Sequence, residues 1–246
     1  MTVHSILPPL LTGAVDEVLR AAGVTHVAHG DADPVKAATD AVEQGAGAVI
    51  GPFRSRDVAE ALEVTAPAGL PLLAPGATWA GVTRADEPGC DDYADHRGTV
   101  LRLVARDTVV AQRIADRLGD RPARVIAGDH EYGLQLDGQL RLAGLRRSED
   151  ADVIVLAGLP GEPEIERARA LAPLPIIAFD GIQGEAFRGQ EVELALVYAP
   201  GPTGVAEARR AAEMVVATTD LAQLKLGFDE YGDLLYPDVR FGRYEA

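Results

Sequence analysis

The stretch GAVIGPFRSRDVAEALEVTAPAGLPLLAPGAT, residues 47–78, determines how the rest of the chain is interpreted. Its pattern predicts a strand, a glycine-containing turn, a helix, a second strand and a second turn. Both turns follow strands, and in a parallel sheet the carboxyl ends of the strands form the edge where ligands bind. Ser55 stands at the predicted N-cap of the helix, and Thr78 ends the second turn. Two hydroxyls and several main-chain amides are therefore expected to face one anion, such as a carboxylate.

The alternation of strands and helices continues on both sides of this stretch. Asp33 and Pro34 mark the start of a preceding helix, as N-cap and first helical residue. Residues 79–98 are acidic and have no clear period, so they are interpreted as a long loop. Strand–helix units then resume, and a hairpin turning near Tyr231 and Gly232 is predicted near the end. The predicted fold is α/β, with two Rossmann-like lobes of parallel sheet flanked by helices. The N-terminal lobe is expected over 1–98, the C-terminal lobe over 99–198, and 199–246 should return to complete both.

Charge and composition exclude several classes of partner. The chain of 246 residues carries 23 Lys and Arg against 38 Asp and Glu, a formal net charge of −15. This charge repels nucleic acid and anionic membrane surfaces, so neither is expected as a partner. No stretch approaches the roughly 20 apolar residues of a membrane span. Cys90 is the single cysteine, which excludes an intramolecular disulfide and a cysteine-based metal site, and no cofactor is expected.

The N-terminus MTVHSILPPLL lacks the basic segment of a secretory signal, and its apolar run is short. As written, the chain is expected in the cytoplasm, or in the periplasm or outside the cell if a leader has been removed.

Catalytic motifs are weak or absent in the sequence. The glycines of GAGAVIG precede a strand instead of following it, which argues against a dinucleotide site. The histidines are scattered and are expected to be structural or exposed, because a histidine base needs a nucleophile and an orienting partner. His130, between Asp129 and Glu131, is the only one retained as an acid–base candidate. Asp91 and Asp92 are interpreted as solvated carboxylates, and the chain is expected not to be an enzyme.

Five segments in order resemble one family: DADPVKAATDAV, AVIGPFRSRDVAEALEVTAPAGLPLLAPGAT, LRLVARDTVVAQRIADRL, RVIAGDHEYGLQLDG and FDEYGDLLYPDVRFGRY. Together they resemble the type I periplasmic binding proteins of the branched-chain amino-acid class, the substrate receptors of ABC importers. The resemblance covers most of the chain. It implies two α/β lobes with a ligand held in the cleft between them.

The resemblance also implies roles for particular residues. The serine of the first turn and the Ala-Thr of the second hold the ligand's α-carboxylate, which corresponds to Ser55, Ala77 and Thr78, and Gly76 of the same turn is a further candidate ligand contact. The aromatic residue that lies over the ligand from the second lobe corresponds to Tyr132. The acidic partner of the α-ammonium corresponds to Asp180.

Each of these positions also has a structural interpretation. Ser55 and Asp180 are also candidate helix N-caps, Thr78 a turn residue and Tyr132 a packing residue. Trp79 is interpreted either as a ligand contact at the cleft mouth or as an exposed aromatic residue.

The sequence departs from the family in ways that leave two functions open. The first loop and helix are shortened, as is the region between Tyr198 and Phe228, and Leu159 replaces an aromatic residue. Arg54 is larger and more charged than the turn favours, so it either meets an acidic ligand group or pairs with the chain's own carboxylates.

The first hypothesis is non-catalytic binding of a small amino acid or related carboxylated metabolite, as a solute-binding or sensor protein. The alternative is a degenerate fold that acts as an interaction module or homodimer without ligand.

Overall fold

The computed structural model describes residues 1–84, 98–158, 162–179, 191–199 and 203–243. The chain divides into two units. Unit 1 comprises Met1–Arg106 and Tyr198–Pro237, and unit 2 comprises Asp107–Val197 and Asp238–Ala246.

Unit 1 is a parallel sheet with the spatial strand order β2-β1-β3-β4-β5. Its strands are β1 (Thr2–Ser5), β2 (Thr25–Ala28), β3 (Ala48–Ile50), β4 (Leu72–Ala74) and β5 (Val100–Arg102). Its helices are α1 (Pro9–Ala21), α2 (Pro34–Glu43), α3 (Ser55–Thr65), α7 (Val205–Ala217) and α8 (Leu221–Leu224). A short 3-10 helix spans Ala80–Val82.

Both faces of the unit 1 sheet are covered, which explains why its strands read as continuous apolar runs. Because side chains alternate along a strand, neighbouring residues enter different cores. Ile50 and Leu73 join the cluster that contains α1 and α7. Val49 and Leu72 join the cluster that contains α2 and α3, where the helices contribute mainly alanine.

Unit 2 has the strand order β10-β9-β8-β7-β6, in which only β10 is antiparallel to its neighbour. The strands are β6 (Arg124–Ala127), β7 (Ile154–Ala157), β8 (Ile176–Phe179), β9 (Val192–Leu196) and β10 (Arg240–Arg243). The helices are α4 (Asp107–Leu118), α5 (Glu131–Leu142) and α6 (Glu162–Arg169). Ile126, Leu156 and Ala178 contribute to its buried core.

The unit boundaries differ from those expected from the sequence. The expected boundary after residue 98 falls too early, because β5 pairs in parallel with β4 and completes the first sheet. The sequence pattern predicts one helix from Val205 to about Leu224, whereas the structure has two helices there, α7 and α8. The expected terminal hairpin is reduced to an antiparallel bridge between Phe228 and Leu234, and the chain then continues to β10 in unit 2.

Several expectations fall on residues that the structure does not describe. They concern Cys90, Asp91, Asp92, His96, Leu159, Asp180 and a short helix that the sequence pattern predicts near residues 182–187, which Asp180 would cap. Within the described ranges, no helix combines the length and apolar character needed to cross a membrane.

Candidate functional site

The first turn of the candidate site joins β3 to α3. Arg54 occupies the N-cap position with extended backbone, φ −81° and ψ 140°, and Ser55 is the first helical residue. This corrects the predicted N-cap role of Ser55 by one position. The Ser55 hydroxyl accepts a hydrogen bond from the main-chain N–H of Trp79, with Oγ to N at 3.2 Å. Ser55 therefore links the first turn to the second.

Gly51 allows this turn to lie close to the adjacent strand end. Its φ of +91° lies in the left-handed region, and a Cβ there would stand 2.5 Å from the carbonyl oxygen of Ile6. Both the backbone conformation and the space require glycine. The carboxyl ends of β1 and β3 are thereby held against each other.

The second turn, PGAT, is buried. Ala77 is fully buried, and Thr78 is 7% exposed. The carbonyls of Ala77 and Trp79 accept hydrogen bonds from Arg102 Nη1, at 3.1 and 2.8 Å. Sequence reasoning missed Arg102, because a charged residue inside an apolar strand does not show which loop it contacts.

Gly76 is covered by aromatic side chains of unit 1. Its carbonyl accepts a hydrogen bond from the Tyr198 hydroxyl at 3.1 Å. Phe53 stacks on Tyr198 with ring centroids 5.8 Å apart, and a Cβ on Gly76 would stand 2.3 Å from the Phe53 ring. The absence of a side chain at Gly76 thus leaves room for the Phe53 ring, and the Gly76 carbonyl already accepts a hydrogen bond from within the protein.

Trp79 has both of its main-chain polar groups engaged in the site, the N–H with Ser55 and the carbonyl with Arg102. Its half-buried ring packs against the core cluster that contains α2 and α3. A Cβ on Gly81 would stand 2.5 Å from that ring. Trp79 therefore packs at the edge of the unit 1 core and is not an exposed aromatic residue.

A cavity of about 620 Å³ lies at the carboxyl ends of β1, β2 and β3. It is lined on one side by Pro52, Phe53, the exposed Arg54 and Asp57. The other side is formed by the β1–α1 and β2–α2 loops and the first residue of α2, namely Ile6, Pro8, Gly30, Asp31, Ala32, Asp33 and Pro34. Burial raises the pKa of Asp57, and the positive charge of Arg54 offsets only part of that rise. Asp33 is the N-cap of α2, as predicted, and its carboxylate accepts the Lys36 N–H at 2.8 Å.

In unit 2, Tyr132 and His130 have partners within the protein. The Tyr132 hydroxyl donates to the buried carboxylate of Asp107 at 3.2 Å. His130 is the N-cap of α5, and its Nδ1 accepts the Gly133 N–H at 3.1 Å. His130 therefore has a capping role, and Asp180 lies outside the described residues.

The histidines that the structure describes in unit 1 each contact another polar side chain, although they are scattered in the sequence. His26 Nε2 lies 2.8 Å from Ser5 Oγ, and His26 Nδ1 lies 3.2 Å from Asp16 Oδ1. His4 Nδ1 lies 2.9 Å from His29 Nε2. The parallel pairing of β1 with β2 brings these distant positions together.

The Ser5–His26–Asp16 chain has the residue types of a hydrolytic triad but not the access. Ser5 is fully buried, so no substrate carbonyl reaches its oxygen. Among the described residues, no group of three or more His, Cys, Asp or Glu could hold a metal ion.

Two α/β units of parallel sheet, each with helix N-termini at the strand ends, define the class of fold. No protein-family model matches the chain, and no curated sequence matches it. Solved structures match it over almost its whole length. An ABC transporter substrate-binding protein from Desulfitobacterium hafniense, in complex with leucine, is 18% identical, with a TM-score of 0.77 over 100% of this chain and 97% of that one.

Two further structures give the same result. A leucine-binding protein from Thermotoga maritima is 15% identical, with a TM-score of 0.71 over 98% of this chain and 97% of that one. An ABC transporter solute-binding protein from R. palustris, in complex with 4-hydroxybenzoate, is 12% identical, with a TM-score of 0.65 over 92% of this chain and 83% of that one. The chain has the type I periplasmic-binding-protein fold, as the sequence predicted.

Proposed function

We propose that the protein binds a small amino acid or a related carboxylated metabolite without catalysis, as a solute-binding or sensor protein. The observation that carries the proposal is the bond between Ser55 Oγ and the Trp79 N–H, which joins two strand-end turns at the N-terminus of α3. A serine hydroxyl that accepts this bond still has its own proton to donate. Accepting a bond also polarises the hydroxyl, which makes it a stronger donor to a carboxylate.

The N-terminus of α3 supports the same assignment. The helix is 11 residues long, and the partial positive charge of its first turn favours an anion. Within the described part of the chain, the Arg54 side chain makes no capping hydrogen bond there. Arg54 is exposed, so its guanidinium adds positive charge at this end of α3.

The chemistry of the relatives' ligands agrees with this proposal. Leucine and 4-hydroxybenzoate, present in two of the matched structures, differ in their side groups but share a carboxylate. We therefore assign the carboxylate to Ser55, Ala77 and Thr78, the part of the ligand that such proteins have in common. Tyr132 and Asp180 remain the predicted ligand contacts from unit 2.

Calorimetry with the twenty amino acids and a panel of small carboxylates, including 4-hydroxybenzoate, tests the proposal. At least one should bind, and Ser55→Ala should weaken it about 10- to 100-fold, because a hydrogen bond to a charged group contributes roughly 1.5 to 3 kcal/mol. Ser148→Ala is the matched control, since Ser148 Oγ also accepts a main-chain N–H, that of Asp150 at 3.1 Å. Absence of binding across the panel, or equal affinities for the two variants, would contradict the proposal.

A second candidate function is self-association without a small ligand, and exposed apolar side chains of unit 1 favour it. Leu226 is 79% exposed and Tyr236 is 92% exposed, and Leu235 beside them is also exposed. The bond from Leu235 N to the Gly227 carbonyl, at 3.0 Å, brings the two ends of this segment together. Grouped apolar side chains of this kind mark interaction surfaces. Light scattering should then show a dimer that Leu226→Ser with Tyr236→Ser dissociates, whereas a strict monomer would exclude this function.

A further inference from the structure

The loop over 228–234, FDEYGDL, is closed by its own hydrogen bonds. Asp229 Oδ1 accepts the N–H groups of Tyr231 and Asp233, both at 3.0 Å. The N–H of Asp229 donates to the Asp233 carbonyl at 2.8 Å. Phe228 anchors the loop in the core cluster that contains α1 and α7. The loop conformation is therefore fixed, and it directs the Asp233 side chain inward.

The same loop lies directly against β5. The Gly232 carbonyl accepts the N–H of Arg102 at 2.8 Å. Gly232 has φ +88°, and a Cβ there would stand 2.0 Å from the carbonyl oxygen of Val100. Only glycine allows this approach.

Asp233 is a buried anion surrounded by cations, at 3% exposure. Its carboxylate lies 2.9 Å from Arg102 Nε and 3.2 Å from both Arg84 Nε and Arg106 Nη1. It also accepts the Thr83 hydroxyl proton at 2.8 Å. Burial alone would raise the pKa of Asp233, but the arginines and the Thr83 hydroxyl together lower it.

The fully buried guanidinium of Arg102 binds Asp233 on one edge and the second turn on the other. Nη1 donates to the carbonyls of Ala77 and Trp79, and Nη2 donates to the Ala80 carbonyl at 3.3 Å and to Thr83 Oγ1 at 2.6 Å. In a trans peptide the carbonyl and the following N–H point in opposite directions. Because the Ala77 carbonyl faces Arg102, the N–H of Thr78 faces the opposite side.

From this geometry we infer that Arg102, held by Asp233, is the positioning residue of the proposed carboxylate site. Arg102 fixes the Ala77 and Trp79 carbonyls, so that the turn whose Trp79 N–H bonds Ser55 keeps its shape, and the FDEYGDL loop holds Arg102 in place. The inference rests on the proposed function. A planar guanidinium is required, because its donors contact several carbonyls at once, which a lysine ammonium cannot do with the same geometry.

A purely stabilising role explains this arrangement less well. A buried ion pair loses hydration when it forms, and well-packed apolar residues of similar volume are often as stable. Nη1 and Nη2 of Arg102 instead donate to three carbonyls of the turn region and to Thr83, while the charge of Asp233 lies beside Nε.

The test uses Trp79, the only tryptophan, as a reporter inside the turn. Arg102→Lys should change the emission of Trp79 and accelerate amide hydrogen exchange in the peptide that contains 77–80 by at least tenfold. Affinity for the carboxylate identified by calorimetry should fall at least tenfold. Arg106→Gln is the matched control, because it removes one cation beside Asp233 and leaves Arg102 in place. It should change neither the exchange nor the emission.

The outcomes separate this inference from the proposed function. If the wild type binds no carboxylate, the proposed function fails, while exchange and emission still report whether Arg102 orders the turn. If Arg102→Lys behaves as Arg106→Gln does in exchange, emission and affinity, the positioning role is overturned. Should Arg102→Lys not fold, Asp233→Asn keeps the guanidinium and removes its anchor, and the same pattern is required of it.

Discussion

The junction of β3 with α3 in unit 1 and the junction of β6 with α5 in unit 2 have the same local plan, but their helix N-termini differ. In unit 2, His130 caps α5 by accepting the Gly133 N–H with its own side chain. In unit 1, the Arg54 side chain, within the described part of the chain, makes no capping bond to α3. The N-terminus of α5 has a side-chain cap from the protein, whereas that of α3 has none and is where we propose that an external anion binds.

Each junction also contains a glycine that a larger residue could not replace without a clash, Gly51 in unit 1 and Gly133 in unit 2. At Gly133 a Cβ would stand 2.5 Å from the Gly128 carbonyl oxygen, and at Gly51 a Cβ would stand 2.5 Å from the Ile6 carbonyl oxygen. Gly51 alone of the two also has a positive φ, +91°. The unit 1 junction therefore depends on glycine for conformation as well as for space.

The largest expected effect follows from that difference. Gly51→Ala should lower the free energy of unfolding by roughly 2 to 5 kcal/mol, from left-handed strain together with the clash at Ile6. Gly133→Ala should cost less, roughly 1 to 3 kcal/mol, because only the clash applies. Urea unfolding measures both. Gly13→Ala in α1 is the control, since a Cβ there meets nothing within 4 Å, and it should stabilise by up to about 1 kcal/mol. Equal losses at 51 and 133 would contradict the role of φ.

The second prediction concerns a variant that gives α3 a side-chain cap, as α5 already has from His130. Arg54→Asp places a carboxylate at the N-cap, which should raise the free energy of unfolding by about 1 kcal/mol. The same carboxylate would compete with a ligand anion, so affinity should fall at least about tenfold. Urea unfolding and calorimetry give the two values.

Arg54→Ala separates loss of the guanidinium from gain of a cap, because alanine caps poorly. If Arg54→Asp binds carboxylates as tightly as Arg54→Ala does, the ligand does not use the α3 N-terminus.

The strand–helix alternation and the two turns were predictable from the sequence, because they depend on local apolar periods and turn residues. The apolar run between Gly47 and Gly51 predicts a strand from Ala48 to Ile50, and β3 has these bounds. The contacts of the site were not predictable to the same degree. Thr83 and Asp233 bond across 150 positions, and Ser5 and His26 meet only through parallel strand register. A buried polar residue must find partners, but its sequence does not say which.

The third prediction concerns removal of the side-chain cap of α5. His130→Ala should lower the free energy of unfolding by about 1 kcal/mol, because the Gly133 N–H loses its acceptor. His130→Asn keeps a side-chain acceptor and should recover most of the loss in the same urea titration. A loss that asparagine does not recover would assign the effect to packing of the imidazole beside Gly128 and Gly158, whose added Cβ atoms would contact the ring.

The smallest effect concerns pH, and it distinguishes the buried His4 of unit 1 from the capping His130 of unit 2. Burial lowers the pKa of His4, as do His29 and His26, and the negative charge of Asp40 opposes them in part. Since the folded-state pKa lies below the ordinary value of 6.5, the neutral ring stabilises the fold above that pH. This contribution should be lost as pH falls below 6.5 through the folded pKa.

Urea unfolding between pH 8 and pH 5 should therefore show a decline in stability that His4→Gln reduces. The measured quantity is the slope of the free energy of unfolding against pH. Replacing the buried His4 ring also lowers the free energy of unfolding by a pH-independent amount, which does not affect this slope. Asp57 acts in the opposite sense, because burial raises its pKa and protonation on acidification then favours the folded state, so it cannot produce a loss of stability on acidification. An unchanged slope in His4→Gln would show that protonation of His4 does not cause the decline in stability.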